Sequence, residues 1–146
     1  MKLISQFEKN GSTFVEDEEG NIYELKLIRN AKQIEIDKQL KRKIIDMLQE
    51  LQVPTYYSGY KFLVDCIYYS IKYEDCRKSL SINLYPKVAL LHEIKSTTVP
   101  GTLDALACRW GRTSEYQKIF GSKTVAARKL ILGLTDYFFS QNKMEL

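Results

Sequence analysis

Leu84-Tyr85-Pro86-Lys87-Val88-Ala89-Leu90-Leu91-His92-Glu93-Ile94, then Lys95-Ser96-Thr97-Thr98, then Val99-Pro100-Gly101-Thr102-Leu103-Asp104-Ala105-Leu106-Ala107-Cys108-Arg109-Trp110, is the stretch that decides the fold. Pro86 suits the first turn of a helix, where a missing N–H costs no intrahelical bond. Val88, Leu91 and Ile94 follow at three-residue spacing and predict the core-facing side of that helix. The polar run Lys95 to Thr98 then breaks it. Thr97 or Thr98 is placed to cap a second helix, with Pro100 tolerated in its opening turn and Leu103, Leu106, Ala107 and Trp110 on one face. Two short helices around a tight polar turn predict a helix-turn-helix.

Upstream, Tyr60, Leu63, Val64, Ile67, Tyr68 and Ile71 recur at spacings of three and four, the clearest amphipathic stripe in the chain. Before it, from Asp37, the residues Leu40, Ile44, Ile45, Leu48 and Leu51 mark one face of another helix, which Pro54 ends. The stretch from Lys72 to Ser81 reads as a polar break. Downstream, Gly111 interrupts the pattern, and Glu115 to Phe120 offers one short helical turn closed by Gly121. Thr124 to Phe139 makes a last helix through Leu130, Ile131, Leu134 and Phe138, with Ser122 or Thr124 as its N-cap.

The N-terminal residues follow a different period. Ser12 to Glu16 is rich in β-formers, Glu19-Gly20-Asn21 supplies turn chemistry, and Ile22 to Ile28 puts Tyr23, Leu25 and Leu27 on one face, which predicts a β-hairpin. A lone two-stranded hairpin is only marginally stable, so it is expected to pack on the helical body or pair with another copy. The expected fold is therefore mainly α: a five- or six-helix bundle containing a helix-turn-helix over residues 37–146, with a short N-terminal β-hairpin over residues 1–36.

Composition bounds the function. A chain of 146 residues with 45% hydrophobic and 27% charged residues has the make-up of a folded domain with an appendage. The formal charge of +4 and a pI near 8.9 permit a polyanionic partner. Acids cluster at Glu16, Asp17, Glu18 and Glu19, read as a solvated loop, while basic residues prevail from Lys38 onward. Cys66, Cys76 and Cys108 are odd in number and form no CxxC pair, which implies reduced thiols and a cytoplasmic location. No run approaches the roughly 18 apolar residues of a membrane span, and the polar start is unlike a signal peptide.

No convergent set of acid, base and nucleophile stands out, so no catalytic residue, cofactor or metal site is expected. His92 is the one histidine and is read as structural. Gly121-Ser122-Lys123-Thr124 lacks the earlier glycine and the preceding strand of a phosphate loop.

Four landmarks occur in order: Glu50-Leu51-Gln52-Val53-Pro54, Gly59-Tyr60-Lys61-Phe62-Leu63, Leu84-Tyr85-Pro86-Lys87-Val88-Ala89 and Ile119-Phe120-Gly121. Across residues 38 to 140 the chain resembles the C-terminal effector-domain family of the sporulation-initiation response regulator, stage zero sporulation protein A. The resemblance implies DNA binding by the second helix of the helix-turn-helix, whose N-terminal residues read base edges in the major groove. Thr98, Gly101, Thr102, Ala105, Cys108 and Arg109 would then point toward the groove. Arg109 and Arg112 are suited to bidentate guanine contacts, and Lys87 and Lys95 to phosphates. Lys118, Lys123, Arg128 and Lys129 would lie beside that helix.

Two departures from the family pattern matter. The family's recognition helix is rich in arginine, whereas this one opens Val99-Pro100-Gly101-Thr102-Leu103-Asp104, with Asp104 set against phosphate; the family's target sequence is not carried over. Residues 1–36 are also too short for the phospho-accepting receiver that precedes the effector domain in that family. The expectation is a DNA-binding transcription regulator acting without a receiver, on double-stranded DNA and as a potential homodimer. The alternative is an interaction module that has lost base readout and binds a related regulator or another protein.

Overall fold

The computed structural model describes residues 3–9, 12–25 and 31–142. The chain divides into two compact units, Met1–Asp37 and Lys38–Leu146, with the division falling inside one helix.

The first unit holds an antiparallel sheet of three strands, β1 (Leu3–Lys9), β2 (Ser12–Asp17) and β3 (Ile22–Leu25), in the order β1-β2-β3. Two strands were expected. Leu3-Ile4-Ser5-Gln6-Phe7-Glu8-Lys9 carries no clean alternation, so β1 is fixed by its partner: Phe7 pairs with Phe14 and their rings stack at 5.5 Å. The third strand supplies support that a lone hairpin lacks. Lys26 to Ile28 of the expected second strand, Leu27 included, lie outside the described residues.

The turn between β2 and β3 is organised by Asp17. Its Oδ1 accepts the Glu19 and Asn21 backbone N–H groups at 2.9 and 3.0 Å, and its Oδ2 accepts from the Asn21 amide and the Tyr23 hydroxyl at 3.1 and 3.0 Å. Burial opposes ionisation of this carboxyl, yet the hydrogen bonds from Asn21, Tyr23 and Glu19 outweigh it and hold its pKa below the ordinary 3.8. The acidic run, read as a solvated loop, thus contains one buried structural carboxylate.

The helices are α1 (Ala31–Glu50), α2 (Gly59–Lys72), α3 (Glu74–Lys78), α4 (Tyr85–His92), α5 (Thr98–Trp110), α6 (Ser114–Phe120) and α7 (Ala127–Asn142), with a π-helical turn at Leu80–Leu84 leading into α4. Seven α-helices among the described residues exceed the expected five or six because the break from Lys72 to Ser81 is itself partly helical. Cys76 and Leu80 are buried there, and the Arg77 guanidinium donates to the Ser70 and Ile71 carbonyls at the end of α2. The first helix begins at Ala31, ahead of the expected Asp37.

Every residue from Phe62 to Tyr68 is buried, which makes α2 the central helix of its unit. On α1, Ile44 and Leu48 face inward as expected, as does Leu51 just past its end, but Met47 takes the place assigned to Ile45, which is exposed. That helix closes on Gln52 in the left-handed region (φ 55°), with the Val53 N–H bonded to the Leu48 carbonyl and Pro54 just behind. Trp110 locks α5 to this end: its indole N–H donates to the Leu51 carbonyl at 2.8 Å, and its ring meets Tyr116 and Phe120 edge-on.

Candidate nucleic-acid interface

Residues 93–97 join α4 to α5. Glu93 ends α4 in the left-handed region (φ 57°), and the Ile94 N–H reaches back to the Ala89 carbonyl at 3.0 Å. Tyr85, Val88 and Ala89 form the buried side of α4. Leu91, expected in the core, is 53% exposed, and Leu90 is 81% exposed. The inward face of α4 runs through Tyr85, Val88 and Ala89 to half-buried His92, and Leu91 falls outside it.

On α5, Val99, Leu103, Leu106, Ala107 and Trp110 are buried. The opposite side is open: Thr98, Gly101, Ala105, Cys108 and Arg109 are exposed, Thr102 is half-buried, and Arg112 is exposed just past the helix end. A Cβ added at Gly101 would meet nothing within 4 Å, so the face is open at this point. Neither threonine caps the helix. Thr97 occupies the cap position with helical backbone angles (φ −68°, ψ −21°) and its side chain accepts no bond from the first turn, because a capping side chain needs an extended backbone to reach forward. Thr98 is the first helical residue, and its carbonyl accepts from the Thr102 hydroxyl at 2.8 Å.

Asp104 is engaged with α7. Its Oδ1 accepts the Ala127 backbone N–H at 2.7 Å and so serves the first residue of that helix. Ser122 and Thr124, expected as N-caps, are exposed and lie ahead of the helix start. Tyr116 explains the delay: its hydroxyl donates to the Lys123 carbonyl at 2.7 Å and accepts the Val125 N–H at 2.8 Å, which holds residues 121–126 out of helix. The hydroxyl that begins α6 is Thr113, which accepts the Tyr116 N–H.

The flanking cations are all at the surface. The Lys87 ammonium stands 4.6 Å from the Tyr73 ring centroid and 5.9 Å from that of Tyr69. Lys95 is exposed in the turn, and Lys118, Lys123, Arg128 and Lys129 are exposed on α6, the following loop and the start of α7. One pair of residues escaped the sequence reading. The Arg109 guanidinium lies 5.6 Å from the Tyr57 ring, and Tyr57 packs on Tyr56 at 4.6 Å between centroids. Both tyrosines sit in the turn before α2, where helical periodicity carries no signal; two consecutive aromatics ahead of a glycine-started helix were the available clue.

The remaining chemistry-bearing side chains serve the interior. His92 Nε2 lies 2.6 Å from Asp65 Oδ2, Lys41 stands 3.5 Å from Oδ1 of the same carboxylate, and the Phe62 ring meets the imidazole edge-on. Burial, then the Asp65 charge, pushes the Cys66 thiol far above its usual range, and the Cys76 thiol is likewise raised by burial. Tyr85 is pushed up to about 12 by burial, with Cys66 and Asp104 adding to the shift and Arg128 opposing it. Among the described residues, no three His, Cys, Asp or Glu groups converge as metal ligands would, and no helix is long and apolar enough to cross a membrane.

The family model described as sporulation initiation factor Spo0A, C terminal, matches residues 44–129, more than half of the chain. That span runs from within α1 to the first turn of α7 and includes the whole of α4 and α5. A search of curated proteins finds no match.

Proposed function

The chain belongs to the family of the sporulation initiation factor Spo0A C-terminal domain, a family of DNA-binding regulatory domains rather than enzymes, and from that membership we propose that it is a sequence-reading transcription regulator. Residues 37–146 form the DNA-binding domain in this reading, and α4 with α5 is its helix-turn-helix. Helix α5 enters the major groove with Thr98, Gly101, Thr102 and Ala105 toward the base edges. Arg109 and Arg112 supply the guanidinium forks that guanine O6 and N7 accept, and Lys87 and Lys95 hold phosphates. A helix of this length reads few base pairs, so two copies on neighbouring half-sites are the working arrangement.

The observation that carries this reading is the outward side of α5: small or polar residues and one arginine are exposed together, and the one carboxylate on that helix, also exposed, accepts the first N–H of α7. Asp104 therefore has a structural task at the start of α7, although it is exposed and keeps its negative charge on this helix.

The test is selection from a randomised duplex library, with the wild-type protein beside an Arg109→Ala, Arg112→Ala double variant, at two salt concentrations. An enriched motif that the double variant fails to select is the expected result. No enrichment by the wild-type protein overturns base readout and leaves the second reading, a module that binds a related regulator or other protein. One observation favours that second reading: Leu90 and Leu91 are exposed beside Tyr69, Tyr73 and Lys87, which together line a shallow surface groove. Exposed apolar groups gathered in this way mark protein contact sites.

A further inference from the structure

We propose that Tyr57 is a positioning residue for base readout, holding the Arg109 guanidinium in the orientation in which it meets a guanine; this rests on the DNA-reading function above. The guanidinium carbon of Arg109 lies 5.6 Å from the centroid of the Tyr57 ring, within the range where a cation is attracted to the ring face. A cation held over a ring face needs none of its N–H groups for that contact, so the guanidinium keeps its donors for a pair of acceptors, which is what guanine O6 and N7 present in the major groove. An arginine on the open side of a helix otherwise samples many rotamers, and fixing one of them on binding costs entropy.

The surrounding chain is built to keep this ring in place. The Tyr60 N–H donates to the Tyr57 carbonyl at 3.0 Å and closes the turn. Tyr56, itself 81% exposed, packs against the Tyr57 ring at 4.6 Å between centroids with the planes tilted by 40°. Gly59 lets the turn approach α5 closely: a Cβ there would stand 2.9 Å from the Thr102 carbonyl oxygen and 3.1 Å from Leu106 Cβ. The tyrosine turn is therefore held close against α5 at Gly59, and Tyr57 reaches Arg109 from a separate element.

The experiment repeats the randomised-duplex selection with full-length wild-type, Tyr57→Leu, Tyr57→Phe and Arg109→Ala proteins, then measures affinity for a duplex carrying the wild-type motif. Leucine keeps apolar volume and removes the ring face; phenylalanine keeps the face. Tyr57→Leu is expected to weaken binding about two- to five-fold, the scale of an exposed cation–ring contact. It should also flatten the base preference at the position that Arg109→Ala flattens, with no further loss when the two are combined. Tyr57→Phe should retain motif and affinity. A wild-type motif selected unchanged by Tyr57→Leu overturns the positioning role and leaves DNA reading intact. Absence of any motif with the wild-type protein overturns the DNA reading and this inference with it. Circular dichroism melts of each variant separate loss of folding from loss of readout, and should Tyr57→Leu melt low, the Tyr57→Phe and Arg109→Ala pair still decides: an arginine-dependent preference that phenylalanine loses rules out the ring face as its support.

Discussion

Asp104 shows how a single side chain changes meaning between sequence and structure. As one acid in a helix meant for DNA it reads as a defect; in place, its carboxylate accepts the Ala127 N–H and satisfies one of the donors that a helix start leaves open. The negative charge also sits favourably at the positive end of the α7 dipole. Sequence reasoning could not find this partner, because the bond spans 23 residues and the local candidates, Ser122 and Thr124, were chemically suitable. Asp104→Ala should lower unfolding free energy by about 1 kcal/mol, the usual cost of a lost N-cap acceptor. Asp104→Asn keeps an acceptor oxygen and should retain most of that stability. Urea titrations of the two variants check this; equal stability of Asp104→Ala and wild type would show that α7 begins without the contact.

The junction between α4 and α5 carries the matching argument for elements. Glu93 adopts φ 57° to end α4, a conformation that brings Cβ close to the following carbonyl in any residue but glycine. Glycine is the usual occupant of this site, so Glu93→Gly should stabilise the protein by about 1 kcal/mol in thermal melts, provided the turn keeps its present bonds. A loss of stability would mean that the glutamate side chain contributes more than its backbone strain costs. The same region marks where legibility stopped. The inward and outward sides of α5 follow from the 3.6-residue period alone, and the exposed set Thr98, Gly101, Ala105 and Arg109 was readable for that reason. The stripe of α2 was readable too. The π turn was not, since Leu80 and Leu84 are buried in it without a local signal for that geometry, and the exposure of Leu91 was not either, because a spacing of three from Val88 fits either edge of the buried face. Strand β1 was missed because its order comes from pairing with β2. Tyr57 and Arg109 lie far apart in sequence on separate elements, and only tertiary structure brings them together.

At the scale of the whole molecule, charge is partitioned between the two units. Residues 1–37 carry five Lys or Arg against eight Asp or Glu, a net −3, and residues 38–146 carry seventeen against ten, a net +7. A basic unit that neutralises phosphates releases condensed counterions, so affinity for duplex DNA should fall linearly on logarithmic axes as salt rises, by about 0.9 in slope for each phosphate contacted. Lysines and the two outward arginines then separate by what they change. Lys95→Ala removes a charge from the turn beside α5; it should weaken binding to all duplexes alike and flatten the salt slope by about 0.9. Arg109→Ala should instead alter base preference at one position. Fluorescence anisotropy with a labelled duplex, titrated between about 50 and 200 mM salt, reads the slope for each variant. A slope near zero for the wild-type protein would remove the electrostatic basis of DNA binding altogether. A steep slope that Lys95→Ala leaves unchanged would move the phosphate contacts to other cations, with Lys118, Lys123, Arg128 and Lys129, exposed on α6, the following loop and the start of α7, as the next set to neutralise.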